Sequence, residues 1–166
     1  MRIAVISDSH DHLEALNNFI TKVKGEVEVI IHAGDIVSPF ALRALRGFKV
    51  YAVFGNNDGE KLLLKKTADE LGIVLEEPPL FLTLEDKKIA VIHGASTPDK
   101  TELLVQALAQ SGLFHLVIYG HTHKADVRKI KDTLIVNPGT ISGYLAPTRT
   151  FAVVDLDSMH VDLVEV

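Results

Sequence analysis

Cysteine is absent from the 166-residue chain. That excludes disulfide staples, iron–sulfur clusters and thiolate zinc sites, so any metal must be held by nitrogen and oxygen. Basic residues are outnumbered, 17 against 22 acids, for a formal charge of −5. A chain of that charge has no broad basic footprint for a nucleic-acid backbone, which argues against a DNA-binding module. Long apolar runs are missing too. The first, Ile3 to Ile6, is too short for a signal peptide or a membrane span, and none approaches the ~18 residues a spanning helix needs. A cytoplasmic protein without membrane contact is expected. Linkers, repeats and low-complexity tracts are also lacking, so residues 1–166 read as a single domain. What is present in excess is histidine, with eight copies.

Short β-branched runs alternate with helical patterns over the first two thirds. Strands are expected at Ile3–Ile6, Val27–Ile31, Val50–Phe54 and Leu116–Tyr119, and a hairpin at Phe81–Leu84 and Ile89–Ile92. A helix from about Asp11 carries Leu13, Leu16, Ile20 and Val23 at helical spacing. Asp11 and Glu14 form its capping box and Gly25 its stop. Ser38-Pro39 opens a short helix that Gly47 ends. Glu60–Leu71 is a helix closed by Gly72, and Asp99 and Glu102 open another that Gly112 closes. Beyond residue 120 only strands are expected: Val127–Ile130, Leu134–Val136, Phe151–Asp155 and His160–Val164. This pattern predicts two sheets packed face to face with helices outside.

Chemistry concentrates just past the strands. Five apolar runs lead into Asp8-Ser9-His10, Gly34-Asp35, Gly55-Asn56-Asn57-Asp58, His93-Gly94 and Gly120-His121-Thr122-His123. Ligands of parallel α/β sheets bind beyond the carboxyl ends of the strands. Five such ends would deliver Asp8, His10, Asp35, Asn56, His93, His121 and His123 to one place, all of them oxygen or nitrogen donors. Glycines beside four of the five ends are expected to let the backbone turn sharply. Alone, the first three read as turns or a cap and His93 as a core or surface histidine, while His121 and His123, two residues apart, project to the same side of an extended chain; it is the conjunction that points to metal. By period 2, His32 should point away from the ligands and be structural, and His115 and His160 should lie on the surface. His12, close to Asp8 and His10, is a candidate to support the site.

In this order the five segments resemble the calcineurin-like metallophosphoesterase family, whose pattern is D-x-H, G-D, G-N-H-[DE], H and G-H-x-H. Asn137-Pro138-Gly139-Thr140 adds a family-like loop. The compact spacing is similar to that of small one-domain prokaryotic phosphodiesterases. The resemblance implies a four-layer αββα sandwich of two mixed β-sheets flanked by helices. It implies two divalent metal ions, manganese first, with nickel, iron, cobalt and zinc as the other candidates. Asp8, His10, Asp35 and His123 would hold one metal, and Asp35, Asn56, His93 and His121 the other, with Asp35 shared. The implied reaction is hydrolysis of a small phosphate ester, a phosphodiester above all, by a metal-bridging hydroxide. A homodimer is common among similar proteins.

Two positions depart from the pattern. Ser38 stands where a second aspartate follows the G-D pair, and Asn57 stands where the family has a histidine that contacts phosphate and is proposed to protonate the leaving group. Asn57 can donate a hydrogen bond to phosphate but no proton at neutral pH. Asn57 is therefore one candidate catalytic residue and His12 the rival proton donor. Arg149 reads as a phosphate contact or a surface residue. Competing functions are a phosphomonoesterase, a nuclease, which the charge disfavours, and a non-catalytic scaffold like the small subunit of the retromer sorting complex. A scaffold is expected to lose ligands, and here none of the seven is lost.

Overall fold

A computed structural model describes residues 1–166. Eleven strands and four helices follow one another as β1 (Arg2–Ile6), α1 (Leu13–Val23), β2 (Val29–His32), α2 (Pro39–Ala44), β3 (Lys49–Val53), α3 (Lys61–Leu71), β4 (Val74–Glu76), β5 (Leu80–Leu84), β6 (Lys87–Val91), α4 (Pro98–Gln110), β7 (Leu116–Ile118), β8 (Asp126–Ile130), β9 (Thr133–Asn137), β10 (Thr150–Asp155) and β11 (His160–Glu165). One sheet has the order β11-β10-β1-β2-β3-β4, the other β5-β6-β7-β9-β8. Both are mixed. β1 through β4 are parallel, with β10 antiparallel to β1, and β6, β7 and β9 are parallel, with β5 and β8 antiparallel at the edges.

Period-2 alternation makes three cores from these two sheets. Ile3, Val5, Val29 and Ile31 point inward to meet Ile89, Val91, Leu116, Ile118, Leu134 and Val136 of the other sheet. Their neighbours Ala4, Ile6, Ile30, Val50 and Ala52 face outward against Leu16 and Phe19 of α1, Leu42 of α2 and Leu64 of α3. Phe19 meets Phe151 edge-on at 5.0 Å. On the far side Val105 and Ala109 of α4 cover Ala90, Val117 and Ile135. The result is the expected αββα layering of two mixed sheets.

Several boundaries differ from the sequence reading, each for a local reason. Helix α1 starts at Leu13, and its cap is His12, whose Nδ1 accepts from the Ala15 N–H. Asp11 cannot cap because it has a left-handed φ of 58° and its carboxylate takes the Ser38 hydroxyl. Helix α4 is capped by Thr97 with Pro98 in the first turn, and Glu102 pairs with Arg128 instead of the backbone. Strand β4, three residues long, was not expected. Ser38 caps α2 through the Phe40 N–H, and Gly72 ends α3 in the left-handed conformation, both as expected.

Candidate metal centre

Strands β1, β2 and β3 of one sheet and β6 and β7 of the other point their carboxyl ends at one crevice, and backbone bonds lace the ends together. Asp8 N–H donates to the Gly34 carbonyl at 2.9 Å, His10 N–H to the Asp35 carbonyl at 3.0 Å, and Gly120 N–H to the His93 carbonyl at 2.9 Å. The two sheets are joined at the site itself, where His121 N–H donates to Asp8 Oδ2 at 3.0 Å.

The glycines at these ends serve space more than turning, a correction to the sequence reading. Of Gly34, Gly55, Gly94 and Gly120, only Gly34 has a left-handed φ. A Cβ on Gly55 would lie 2.2 Å from Asp35 Oδ1, on Gly94 2.6 Å from His121 Cβ, and on Gly120 1.9 Å from Ser7 Oγ. The turning is done by the donors. Asp8, His10, Asp35, His121 and His123 all have φ between 42° and 69°, a conformation that costs a non-glycine residue of order 1 kcal/mol or more and persists only where surroundings enforce it.

Asp8, His10, Asp35 and His123 place one donor atom each within 4.8 Å of one another. His123 Nδ1 donates to the Tyr144 carbonyl at 2.6 Å, which leaves a lone pair on Nε2. That nitrogen lies 3.1 Å from Asp8 Oδ1 and 3.4 Å from His10 Nε2. Asp8 Oδ1 is fully buried yet receives no hydrogen bond. The Asp8 carboxylate beside it raises the His123 pKa.

The remaining donors meet in the same way. His93 Nδ1 donates to the Ala33 carbonyl at 2.7 Å, and His121 Nε2 to the Ser96 carbonyl at 3.1 Å. The free lone pairs, His93 Nε2 and His121 Nδ1, then face Asn56 Oδ1 at 2.9 and 2.8 Å. Asp35 Oδ1 lies 3.5 Å from His93 Nε2 and Asp35 Oδ2 3.6 Å from His10 Nε2, so Asp35 spans both groups. Burial lowers the His93 pKa, but Asp35 and Asp8 more than offset it and the net shift is upward. Burial likewise pushes the Asp35 carboxyl up, and His93 and Asn57 outweigh it, holding it well below the usual carboxylate range.

In their neutral forms the imidazoles thus turn lone pairs onto other acceptors at both places, and the raised pKa values of His93 and His123 mark the pull of these groups for positive charge. That is unfavourable for the protein alone and suited to cations at both places. The donor set, imidazole, carboxylate and amide oxygen without sulfur, fits divalent transition metals, and the carbonyls behind His93, His121 and His123 fix their tautomers as such sites require.

Asn57 is exposed, but its amide is engaged. Its backbone N–H donates to Asp35 Oδ1 at 2.8 Å and its Nδ2 to Asp35 Oδ2 at 2.7 Å. Asp58, read in the sequence only as part of a turn, is buried, and its carboxylate clamps the amides of Val37 at 2.6 Å and Gly55 at 2.7 Å. Its place directly after Gly55-Asn56-Asn57, where the family motif has an acid, was the signal to follow. His32 is structural as expected. Its Nδ1 accepts from the Gly34 N–H at 3.2 Å and its Nε2 bonds Ser9 Oγ at 2.9 Å, and burial lowers its pKa to about 4. His115 and His160 are exposed. His12 lies beside His10 on a cavity of about 470 Å³, with Ser142, Gly143 and Tyr144.

A sheet sandwich whose parallel strand ends present this donor set defines a class, and the comparison with known families agrees: the chain belongs to the calcineurin-like phosphoesterase superfamily, whose domain matches residues 1–159. It is similar to a phosphodiesterase of Methanocaldococcus jannaschii, 34% identical over 163 residues that cover 95% of this chain and 94% of the relative. The solved structure of an archaeal phosphodiesterase superposes with a TM-score of 0.92 at 30% identity over 100% of both chains. Vps29 of Entamoeba histolytica in complex with zinc shares the fold, with a TM-score of 0.70 at 20% identity over 100% of this chain and 98% of that one.

Proposed function

We propose that this chain is a metal-dependent phosphodiesterase, with residues 1–166 forming one catalytic domain. Asp8, His10, Asp35 and His123 hold one divalent cation, Asp35, Asn56, His93 and His121 hold a second, and Asp35 is shared. The observation that carries this reading is the facing of lone pair on lone pair at both places. The phosphodiesterase similar over nearly the whole chain supports the activity. Cations bound there supply Lewis acidity and lower the pKa of water.

The chain's own residues have separate tasks. Ala33, Ser96 and Tyr144 carbonyls lock three imidazoles as neutral ligands. Asn57 holds both oxygens of Asp35. It delivers no proton, so the departing oxygen is helped by His12 or by nothing on the chain. The His12 Nδ1 accepts from Ala15, which leaves the proton on Nε2.

The deciding experiment measures metal content and hydrolysis of bis(p-nitrophenyl) phosphate before and after chelation. About two metals per chain and chelator-sensitive turnover are expected; a chain that binds no metal and hydrolyses no ester is a scaffold. A series of aryl and alkyl leaving groups then separates the roles of Asn57 and His12. General acid help is worth ~10²–10⁴-fold, so a steep fall in rate with rising leaving-group pKa is expected. If the slope is shallow in the wild type and steepens in His12→Ala, His12 is the donor. Manganese as resident metal, a cytoplasmic location and a homodimeric state complete the reading. Elemental analysis, fractionation and light scattering test them in turn.

A further inference from the structure

The wall of the cavity beside His10 has the opposite problem from the metal centre. His12 Nδ1 accepts from the Ala15 N–H at 3.2 Å, so the imidazole proton sits on Nε2. That N–H faces Arg149 Nη2 at 3.1 Å, and a guanidinium can only donate. Two donors therefore converge with no acceptor between them. Arg149 is not a drifting surface side chain. Its Nε donates to the Ser142 carbonyl at 3.2 Å, its stem lies against Gly143, where a Cβ would come within 2.7 Å of Cγ, and its own carbonyl accepts from Val166. The loop beneath is pinned in turn, with the Ser142 hydroxyl bonded to Thr140 Oγ1 at 2.9 Å and accepting from the Tyr144 N–H at 3.2 Å. Ser142 and His12 are the guanidinium's only partners, and no carboxylate neutralises it in a chain of net charge −5.

We infer that His12 and Arg149 hold a second anionic group of the substrate, a phosphate or carboxylate on one arm of the diester, outside the reacting phosphate. An oxyanion accepts from both N–H groups at once, which removes the conflict between them. The position suits an arm more than the reacting centre. Of the seven ligand residues only His10 lines this cavity, and its volume of about 470 Å³ accommodates a small-molecule arm. Tyr144, standing edge-on to His10 with ring centroids 6.0 Å apart, lines the same cavity. The inference rests on the phosphodiesterase reading and names the substrate class for that site.

The test compares three p-nitrophenyl alkyl diesters on the metal-loaded chain, with the alkyl arm ending in a methyl, a carboxylate or a phosphate. The wild type should prefer an anionic arm, and whether one or both are preferred identifies the group. In Arg149→Ala the ratio of kcat/KM for anionic over neutral arm should fall by about tenfold to hundredfold, the range for a hydrogen bond to a charged group. Arg149→Lys should keep part of it. Unchanged ratios, or a parallel fall on all three esters, would overturn the inference, the latter because the pair would then serve the reacting phosphate. A second readout needs no turnover: propyl phosphate added to the zinc-loaded chain should shift the His12 ring resonances in the wild type and not in Arg149→Ala. A shift without hydrolysis of any ester leaves the anion pair standing and removes the phosphodiesterase reading. Hydrolysis without preference or shift does the reverse.

Discussion

The centre and the rim of the crevice are opposites built from the same residue type. At the centre His93, His121 and His123 each give their proton to a backbone carbonyl and turn a lone pair inward. At the rim His12 accepts a backbone proton and turns an N–H outward. Histidine carries no fixed role; the backbone group behind the ring decides whether it presents an acceptor to a cation or a donor to an anion. Backbone geometry thus writes the electrostatics of this crevice as much as side-chain identity does.

The strongest way to break that contrast is at Asp35, the one carboxylate that reaches both groups of donors. Asp35→Asn replaces a charged oxygen by a neutral amide at both places. Loss of several kcal/mol of electrostatic stabilisation should lower turnover by about a thousandfold or more. Elemental analysis should show metal content falling at both positions together. If one metal stays at full occupancy, Asp35 is not shared.

Next come two glycines of one loop. Gly55→Ala drives a Cβ to 2.2 Å from Asp35 Oδ1, whereas Gly59→Ala meets nothing within 4 Å. The first should weaken metal binding by about 10–100-fold, the size of effect seen when groups supporting a ligand are disturbed. The second should stay within about 0.5 kcal/mol of wild-type stability with metal binding intact. Metal titrations of the pair check both, and equal behaviour would show that close approach at Gly55 is not needed.

Asn57 sharpens the comparison further. If its amide serves Asp35 and not the substrate, Asn57→Ala should cost metal affinity, about tenfold, and leave the dependence of rate on leaving-group pKa as it was. A changed slope with unchanged metal affinity would return Asn57 to the reacting atoms.

The smallest effect is on acid stability and concerns His32, a histidine that serves neither centre nor rim. Its folded-state pKa of about 4 lies below the ordinary value of 6.5, so the native chain keeps it neutral. The unfolded chain takes up the proton as pH falls through the ordinary value and the folded chain does not. The His32 contribution to stability is therefore full above about 6.5, declines towards pH 4 and levels below it, a loss of about 3 kcal/mol. The Asp35 carboxyl, held low, adds its loss only in more acidic solution. The raised pKa values of His93 and His123 act in the opposite sense on chelated protein, so the His32 part is the difference between wild type and His32→Asn: urea unfolding should show that the advantage of the wild type shrinks from pH 7 to pH 5.

Much of this was legible in the sequence because parallel strands announce their carboxyl ends. Each of the seven donors sits within a few residues of an apolar run, and the structure brings all seven to one crevice. What was illegible lies mostly in the backbone. The carbonyls of Ala33, Ser96 and Tyr144 that set the imidazole tautomers have no sequence signature. Strand β4 is three residues between a helix and Pro78-Pro79, too short to show alternation. The cap at Asp11 was misread because its pairing with Ser38, far along the chain, outcompetes the local capping box. The bonds of Asn57 to Asp35 were not foreseen because the two residues are 22 apart in the chain.

Strand β1 has a consequence for how the chain is made. It lies between β2, on which it pairs in parallel, and β10, residues 150–155. During synthesis β2 is at hand within a few dozen residues, but the other edge of β1 stays bare until residues 150–155 have left the ribosome. A central apolar strand with an unpaired edge is the kind of surface that nascent chains lose to aggregation. The bonds from Thr140 and Ser142 to the Asp8 carbonyl also form only after that wait. The crevice is therefore completed only once β10 has closed the edge of β1, and a cation bound there would report that strands far apart in the chain have met.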